Sequence, residues 1–336
     1  MKILVAGGAG FIGSAFVRYT LEAYPADSVL VVDKLTYAGN MENLAGLERL
    51  PNYEFVRGDI CDRQLMQELV ANCDAVVNFA AETHVDRALV EADAFIRTDV
   101  YGVYSLAEAC KSASRSLKLF VQISTDEVYG PQYEGAATEE SPIRPTNPYS
   151  ASKAGGELLA LSYHRSFGVP VIVVRGSNNM GPRQHPEKFI PLLITNALED
   201  KELPIYGDGL YVREWIYVDD FVRGVDLVLR QGKVGEVYNI GGGQENQKTQ
   251  LEVAHAVLEL LGKPKSLIKH VADRPGHDRR YSIDSSKVQA LGWRRQYGFD
   301  AALEATVNWY RANESWWRRI KSGEFAEYYR RMYERR

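Results

Sequence analysis

Several protein classes are excluded by what this sequence has little of. Its three cysteines, Cys61, Cys73 and Cys110, are odd in number and far apart, which excludes a disulfide framework and gives no zinc-type spacing. No apolar run reaches about 18 residues, the length that a membrane-spanning helix needs. Because Met1-Lys2 leads straight into a short strand pattern, we expect no signal peptide. These features predict a cytoplasmic protein with no metal site.

Charge and composition narrow the class further. The formal net charge of −4 argues against a nucleic-acid partner, because phosphate binding generally brings a basic surplus. Apolar residues make up 45% and charged residues 25% of the 336 residues, which is typical of a globular protein that is long enough for two domains. Strand patterns that alternate with helical ones predict an α/β fold, with a Rossmann-type, doubly wound parallel sheet.

The first strand pattern, residues 2–6, is followed at once by three regularly spaced glycines. Gly7, Gly10 and Gly13 form the G-x-x-G-x-x-G variant of the dinucleotide fingerprint, and a helical pattern runs on from Ser14 to Tyr24. Glycines here permit a tight turn and let the backbone approach a pyrophosphate, which then sits on the helix N-terminus. The sequence therefore predicts a dinucleotide site.

An acid at the end of the second strand pattern indicates which dinucleotide binds. Residues 28–32 end at Asp33, about 20 residues beyond the last glycine. A carboxylate there accepts both ribose hydroxyls of NAD and repels the 2′-phosphate of NADP, so we predict NAD. Lys34 is adjacent and can in principle pair with that phosphate, which leaves NADP as the alternative.

Two further strand patterns end in residues that suit a cofactor. Residues 53–60 carry Asp59 near their end, an acid that can reach the adenine. Residues 75–81 end in Ala80 and Ala81, whose small side chains let a cofactor backbone come close. We expect a helix over about residues 93–114 to follow.

A cluster of polar residues follows the fifth strand pattern. Thr125, Asp126 and Glu127 come directly after a buried apolar run, at the strand end where open α/β sheets place their chemistry. Tyr149 and Lys153 are four residues apart in a helical segment, so they share one face. Twenty tyrosines give about one Y-x-x-x-K by chance, but the position shortly after Thr125 argues against coincidence. The set suits proton transfers around a sugar carbon.

The composition of the chain changes beyond Gly176. Prolines and glycines become frequent there, as in loops that close over a ligand. We predict a cofactor-binding domain over residues 1–176 and a substrate-binding domain over residues 177–336. Helix and strand patterns like those of the first domain recur at about 215–240, so we expect that segment to return to the main sheet. For the tail, 316–336, we favour a solvated amphipathic helix over an RNA- or membrane-binding segment, because acids interleave with its arginines.

These motifs resemble those of a known family. The glycine loop with Tyr149-x-x-x-Lys153 is similar to the extended short-chain dehydrogenase/reductases that act on nucleotide sugars. More narrowly, the chain resembles the dTDP-glucose 4,6-dehydratase family from residue 2 to about residue 310. The further segments that carry this resemblance are DKLTYAGN (33–40), TDE (125–127), SNN (177–179), PEKFIP (186–191) and DRPGHD (273–278).

The resemblance implies a cofactor, a partner and a set of contacts. It implies tightly bound NAD that is regenerated in each turnover, a nucleotide-sugar substrate for the domain at 177–336, and a homodimer through the helices near residues 93–114 and 150–166. The implied NAD contacts are Gly7, Gly10, Phe11, Ile12, Gly13, Asp33, Lys34, Thr36, Asp59, Ile60, Ala80, Ala81, Thr98, Tyr149 and Lys153.

The implied reaction is an internal redox dehydration of dTDP-glucose to dTDP-4-keto-6-deoxyglucose. Tyr149 takes the proton of the 4-hydroxyl while hydride leaves C4 for NAD. Lys153 lowers the pKa of this tyrosine, and Thr125 hydrogen-bonds the same oxygen. Glu127 then takes the C5 proton, and a protonated Asp126 gives its proton to the departing 6-hydroxyl before hydride returns to C6.

The resemblance also implies donors for the substrate's diphosphate and nucleoside. The residues expected there are Asn179, Lys188, Arg213, Asn246, Arg274 and His277. We expect Tyr206 to face the pyrimidine. His84 has two open assignments, a contact to the sugar or phosphates and a packed structural role.

Three positions depart from the family pattern. Asp99 stands in Thr98-Asp99-Val100 where the family usually has Asn, and an Asp cannot donate the hydrogen bonds of an Asn amide. Met180 replaces the usual Tyr, and Thr83 stands where Ser is common. None of these changes removes a group that the chemistry requires.

Rival functions differ in the acids that they need. A UDP-sugar 4-epimerase of the same fold would use Thr125, Tyr149 and Lys153 alone, so the pair Asp126-Glu127 favours dehydration. Dehydration of UDP- or CDP-glucose stays open, whereas GDP-mannose is disfavoured because Asp33 suits NAD. A catalytically silent NAD-binding scaffold is disfavoured by the intact set.

Overall fold

The architecture is described for residues 1–113 and 116–322 of a computed structural model of the chain. The strands are β1 (Lys2–Ala6), β2 (Ser28–Asp33), β3 (Tyr53–Arg57), β4 (Ala75–Asn78), β5 (Leu119–Thr125), β6 (Val171–Gly176), β7 (Asn178–Met180), β8 (Leu203–Tyr206), β9 (Val212–Tyr217), β10 (Val237–Ile240), β11 (Gln247–Thr249) and β12 (Ile268–Val271). The helices are α1 (Phe11–Ala23), α2 (Arg63–Val70), α3 (Val85–Ala88), α4 (Asp93–Phe95), α5 (Val103–Ser112), α6 (Pro148–Phe167), α7 (Phe189–Leu198), α8 (Val218–Gln231), α9 (Gln250–Leu261), α10 (Ser286–Ala290), α11 (Phe299–Ala312) and α12 (Glu314–Lys321).

The largest sheet in the described residues has the order β10-β6-β5-β4-β1-β2-β3, and every neighbouring pair in it is parallel. The order turns back between β1 and β4, so the connections that leave these two strands diverge and a crevice opens at their carboxyl ends. This doubly wound, Rossmann-type sheet confirms the predicted fold class.

Helices cover both faces of this sheet, and β1 shows how its strands serve both. Val5 lies in the core that α1 and α8 cover. The residue before it, Leu4, points to the opposite face and lies in the core under α2, α5 and α6. Because successive side chains of a strand point to opposite faces, a sheet buried on both sides needs nearly continuous apolar strands.

A third apolar core lies beside the crevice. It is built by α7, α9, α11 and α12 with strands β8 and β9, and Tyr310 and Trp317 are its largest fully buried side chains. In the described residues a sheet of order β11-β9-β7 and the pair β12-β8 belong to this region. The chain leaves it through α8, and β10 then pairs in parallel with β6 of the main sheet.

Several predicted elements differ from the structure at their ends. The predicted strands 53–60 and 75–81 are shorter, because the backbone beyond β3 and β4 leaves the sheet to line the crevice. The helix predicted over 93–114 is α4, a π-helical stretch at Ile96–Gly102 and α5, and residue 114 lies outside the described residues.

The tail begins with α12, which is amphipathic. Trp316 and Trp317 are buried in the third core, so this part of the predicted solvated helix packs on the protein. The remainder, 323–336, lies outside the described residues. Across residues 1–113 and 116–322, none of the helices has the length and apolar character that a membrane crossing requires, and no His, Cys, Asp and Glu side chains group to hold a metal ion.

Candidate active site

A cleft with a cavity of about 400 Å³ opens at the carboxyl ends of the main sheet, next to the third core. It brings together residues from both halves of the chain. The predicted site residues that line it are Gly7, Gly10, Phe11, Ile12, Gly13, Asp33, Lys34, Thr36, Asp59, Ile60, Ala80, Ala81, His84, Thr98, Thr125, Asp126, Glu127, Tyr149, Lys153, Asn179, Lys188, Tyr206, Arg213, Arg274 and His277.

The glycine loop at one end of the cleft has no room for a side chain at Gly7 or Gly13. Gly7 has a φ of 75°, and a Cβ on it would lie 2.4 Å from the backbone nitrogen of Ala80. A Cβ on Gly13 would lie 2.2 Å from the carbonyl oxygen of Gly7. Because α1 begins directly after this turn and its first residues line the cleft, its N-terminal N–H groups suit the diphosphate of a dinucleotide.

Asp33 is held by the backbone on both carboxylate oxygens. Its Oδ2 accepts a hydrogen bond from the N–H of Ala9 at 2.9 Å, and its Oδ1 accepts one from the N–H of Leu35 at 2.8 Å. The Nζ of Lys34 lies 2.7 Å from Oδ2 of Asp59, so an acid already balances this ammonium. An oriented carboxylate and a paired lysine fit the ribose hydroxyls of NAD better than a 2′-phosphate.

The two predicted catalytic acids follow β5 into the cleft. Thr125 begins a short 3₁₀ turn, and its hydroxyl donates to Oδ1 of Asp126 at 3.1 Å. Asp126 is 3% exposed, and its Oδ2 has no hydrogen-bond partner among the described residues. Burial raises the pKa of Asp126 well above its ordinary value, and the neighbouring Glu127 adds to the rise. Both effects favour the protonated form of this carboxyl group, which is the form that can donate a proton.

Glu127 has a different environment. Burial raises its pKa as well, but the cations Arg213 and Arg274 oppose the rise. Its Oε2 accepts a hydrogen bond from the hydroxyl of Tyr281 at 3.4 Å. Adjacent carboxyl groups in unlike surroundings can take opposite roles, one as a proton donor and one as an ionised base.

Helix α6 brings Tyr149 and Lys153 to the same cleft. Its start is fixed by a capping box, in which Oδ1 of Asn147 accepts from the N–H of Ser150 at 2.9 Å. One turn further on, the Nζ of Lys153 donates to the carbonyl oxygen of Ile123 at 2.9 Å. This hydrogen bond ties the ammonium to the strand that carries the two acids.

The proton affinity of Tyr149 differs from the prediction that Lys153 lowers its pKa. Burial raises the pKa of Tyr149 well above its ordinary value, and the charges of Glu127 and Asp99 add to the rise. Burial also lowers the pKa of Lys153. The cause is desolvation, which disfavours charge on either group and which a sequence pattern does not report. Burial therefore disfavours the phenolate, and a nearby cation such as the positive ring of oxidised nicotinamide would favour it.

Three cations surround the other end of the cleft. Lys188 precedes α7, Arg213 lies on β9 and Arg274 follows β12. Nη2 of Arg213 and Nε of Arg274 are buried, and neither has a hydrogen-bond partner in the described part of the chain. Burial lowers the pKa of Lys188 to about 8. Buried donors of this kind suit an anionic ligand such as a diphosphate.

Asp86, which the sequence analysis did not identify, ties three predicted residues together. Its carboxylate accepts from the hydroxyl of Tyr206 at 2.9 Å and from Nη1 of Arg274 at 3.1 Å, and Nδ1 of His84 lies 3.9 Å away. Burial lowers the pKa of His84 to about 4. His84 also has a φ of 102°, a strained value for a residue other than glycine that is typical of functional sites.

Asn179 and His277 also border the cleft. Nδ2 of Asn179 donates to the carbonyl oxygen of Ser177 at 3.0 Å, while its buried Oδ1 has no partner within the described residues. The ring of His277 stacks on Tyr211 with centroids 3.6 Å apart, and its Nδ1 lies 2.8 Å from Oδ1 of Asp273. The stacked ring is fixed in place at the side of the cleft.

Asn246 is placed differently from the other predicted substrate residues, because it does not line the cleft. Its Nδ2 donates to the carbonyl oxygen of Trp215 at 3.1 Å, and its Oδ1 accepts from the N–H of Phe299 at 2.9 Å. Both ends of the amide thus join β9 to α11, and the geometry gives Asn246 a structural role.

Comparisons with known proteins decide the family. The family model described as GDP-mannose 4,6 dehydratase matches residues 4–306. The dTDP-glucose 4,6-dehydratase of Streptomyces niveus is 51% identical over 331 residues, which cover 97% of each chain. The chain belongs to the dTDP-glucose 4,6-dehydratase family.

Solved structures have the same fold. DesIV, a dTDP-glucose 4,6-dehydratase of Streptomyces venezuelae solved with NAD and TYD bound, is 49% identical with a TM-score of 0.93 over 96% of this chain and 100% of that one. A UDP-glucuronic acid 4-epimerase of Bacillus cereus, solved with UDP-glucuronic acid and NAD, has a TM-score of 0.87 over 93% and 99% of the two chains, but it is 31% identical. One fold therefore serves both chemistries, and sequence identity favours the dehydratases.

Glu187 is a candidate site residue that the sequence analysis missed, although it lies in the PEKFIP segment shared with the dTDP-glucose 4,6-dehydratase family. It lines the cleft and is 1% exposed. Its Oε2 accepts from Nε of Arg87 at 2.8 Å, and its Oε1 has no hydrogen-bond partner in the described residues. A single acid among expected phosphate-binding cations gave no chemical signal in the sequence.

The departures from the dTDP-glucose 4,6-dehydratase pattern are accommodated in different ways. The hydroxyl of Thr83 accepts from Nζ of Lys188 at 2.8 Å, as a serine hydroxyl could. Met180 is fully buried in the third core. Asp99 is also buried, and its carboxyl group lies against α6.

Proposed function

We propose that this protein catalyses the NAD-dependent dehydration of dTDP-glucose to dTDP-4-keto-6-deoxyglucose. The observation that carries the proposal is the adjacent pair of a buried Asp126 and a partly exposed Glu127, which shares one cleft with Tyr149, Lys153 and a dinucleotide loop. A 4-epimerase would have no use for a protonated carboxyl group beside an ionisable one. Identities of 51% and 49% to two dTDP-glucose 4,6-dehydratases support the same choice.

The cofactor fits this site on two counts. A Cβ at Gly7 or Gly13 would meet backbone atoms of Ala80 or Gly7, so glycine keeps the turn before α1 tight enough to present the helix N-terminus to a diphosphate, and Asp33 is oriented for ribose hydroxyls. When bound, NAD accepts hydride from C4 of the sugar and returns it to C6, so no net cofactor is consumed.

The proposed roles of the protein side chains follow from the chemistry of each group and from its place in the shared cleft. Tyr149 removes the proton of the 4-hydroxyl, and Thr125 hydrogen-bonds the same oxygen. Once C4 is a ketone, the C5 proton is acidic and Glu127 removes it. Asp126 donates its proton to the 6-hydroxyl, which leaves as water, and Glu127 returns a proton to C5 when C6 has been reduced.

The proposed substrate contacts use the cations at the other end of the cleft. Arg213 and Arg274 hold the diphosphate through their unpartnered donors, and Lys188 adds a third charge. Tyr206 and His277 then border the nucleoside, and Asn179 contributes its amide. With the anion in place, Nη2 of Arg213 and Nε of Arg274 gain the acceptors that they lack among the described residues.

We also propose the organisation of the chain around these ligands. Residues 1–176, joined by the segment at about 215–240, bind NAD, and residues 177–336 bind the nucleotide sugar. The pairing of β10 with β6 supports the return of this segment.

A homodimer and a cytoplasmic setting complete the proposal. The dimer forms through the helices near residues 93–114 and 150–166. Helices α5 and α6 pack side by side there, and Ile96, Tyr101 and Leu158 are exposed on this part of the surface, 45–53% of each residue being accessible. Unpaired cysteines among the described residues support a reducing compartment.

Mass spectrometry of the purified protein, incubated separately with dTDP-glucose, UDP-glucose and GDP-mannose, tests the function. We expect dTDP-glucose to lose one water without added NAD, and the relative rates identify the nucleotide. An unchanged mass with conversion of glucose to galactose would instead identify an epimerase and refute the dehydration.

A further inference from the structure

Asp99 is a buried carboxyl group at a position where the family pattern has an amide. It lies in the π-helical stretch Ile96–Gly102 and is 2% exposed. Turns of this kind are rare and occur frequently at functional sites. A Cβ on Gly156 of α6 would lie 2.2 Å from the carbonyl oxygen of Asp99, so glycine is what lets the stretch press against that helix. The same helix carries Tyr149 and Lys153.

The hydrogen bonds of Asp99 show that an amide could replace it with little local change. Its Oδ2 accepts from the hydroxyl of Ser152 at 2.7 Å, and its Oδ1 accepts from the N–H of Glu82 at 2.9 Å. The hydroxyl of Ser152 also lies 2.8 Å from the carbonyl oxygen of Tyr149, so it can donate there and accept from an amide at position 99. The main difference between the two side chains here is therefore charge.

That charge acts on both members of the Tyr149–Lys153 pair. A carboxylate at Asp99 opposes the loss of the proton from Lys153, which burial favours. It also disfavours a phenolate at Tyr149. The other titratable groups that face Asp99 or this pair are Glu82, Asp126, Glu127 and Glu157.

We propose that Asp99 is a positioning residue that sets the charge balance of the Tyr149–Lys153 pair in this protein. Ionised, it keeps Lys153 protonated and makes Tyr149 a stronger base that is harder to ionise. Protonated, it leaves the pair as the family's amide would. The inference rests on the proposed function, because the state of the pair is read from the first hydride transfer.

Asp99 changes between its protonated and ionised forms near neutral pH. Burial raises the pKa of Asp99 to about 7, although Lys153 and the hydrogen bond from Ser152 work against the rise. A small change of pH near neutrality therefore alters the charge next to the catalytic pair.

The test compares wild type with Asp99→Asn by rapid mixing with dTDP-glucose, measuring the NADH formed in a single turnover across a pH series. The rate of NADH formation should have two pH midpoints, one from the ionisation of Tyr149 and one from that of Lys153. Removing a buried negative charge lowers the proton affinity of both groups, so both midpoints move to lower pH, by about one unit. The two profiles meet well below pH 7, where wild-type Asp99 is itself protonated, and diverge above it. Unchanged midpoints would overturn the proposal, whatever the height of the profile.

A matched control separates charge from packing. Ser152→Ala removes a hydrogen bond from Asp99 but keeps its charge, so at alkaline pH its profile follows wild type. If the midpoints of Ser152→Ala shifted as much as those of Asp99→Asn, loosened packing would be the cause, and the proposal would be refuted. Because Thr98 lines the cleft and Asp99 lies behind it, we expect the KM for dTDP-glucose to be unchanged in Asp99→Asn.

The outcomes for the two proposals are distinct. Wild-type protein that does not dehydrate any of the nucleotide sugars would defeat the proposed function. Wild-type protein that dehydrates dTDP-glucose, with midpoints that Asp99→Asn leaves in place, would defeat the role of Asp99 alone.

Discussion

Replacing Glu157 with Gln tests how much a buried ion pair stabilises the 3₁₀ turn that carries Asp126 and Glu127. Glu157 of α6 is fully buried and accepts hydrogen bonds from Nε and Nη2 of Arg175 in β6, with its closest contact at 2.5 Å. Nη1 of Arg175 donates to the hydroxyl of Tyr129 at 2.6 Å, which donates in turn to Oδ1 of Asn239 at 2.8 Å. Tyr129 ends the turn that begins at Asp126, so this network joins the turn to α6, β6 and β10.

The expected cost follows from burial on both sides of the pair. Arg175 is 3% exposed, so Glu157→Gln leaves a buried cation without its counter-charge. Removing one partner of a buried ion pair costs about 3–5 kcal/mol, a large share of the roughly 5–15 kcal/mol that keeps a typical protein folded. Urea unfolding of the variant measures this loss directly.

Two further variants make the result decisive. Asp93→Asn breaks an exposed ion pair with Arg97 and should cost less than about 1 kcal/mol. The double variant Glu157→Met/Arg175→Met removes both buried charges and should recover most of the lost stability. If Glu157→Gln costs no more than Asp93→Asn, the reasoning from buried charge is refuted, and a double variant no better than the single one would point to geometry instead.

Three other variants test the site. Tyr149→Phe should form no NADH on mixing with dTDP-glucose, and normal NADH formation in that variant would overturn its role as base. Asp126→Asn should still form NADH but lose water about 10²–10⁴-fold more slowly, because the proton donor is gone; water loss at the wild-type rate would exclude Asp126 as the acid. Gly13→Ala places a Cβ 2.2 Å from the backbone of Gly7, so the purified protein should retain less NAD than Gly298→Ala, whose Cβ meets nothing within 4 Å; equal NAD content would contradict the loop assignment.

The cofactor end of the cleft could be predicted because its requirements are local. A tight turn between a strand and a helix demands glycine at Gly7 and Gly13, and Asp33 follows at the distance expected of an acid that binds the ribose. Each of these signals lies within one βαβ unit. The structure accordingly places all of the predicted NAD contacts around one cleft.

The proton affinity of Tyr149 could not be predicted, because it depends on burial. The sequence placed Lys153 one helical turn from Tyr149 and so suggested a lowered pKa for the tyrosine. Desolvation reverses that direction, and the negative charges of Glu127 and Asp99 raise the pKa of Tyr149 further. The same burial supports the prediction of a protonated Asp126.

The substrate end was predicted less completely, because its contacts join distant segments. Asp86 meets Arg274 across 188 positions of the chain, and Glu187 meets Arg87 across 100. No spacing rule reports such pairs. Asn246 shows the reverse case, in which a side chain suited to a ligand is used instead to join two elements.

Strand β10 has a consequence for exchanging substrate specificity between relatives. The chain supplies this last strand of the main sheet only after it has built β9, which carries Arg213. A fragment that stopped at residue 176 would expose the backbone of β6 as an unprotected edge, which invites pairing with other molecules. A chimaera with a foreign substrate-recognition half therefore has to be grafted in two pieces, one between β6 and α8 and one after β10, so that the host keeps its own edge strand.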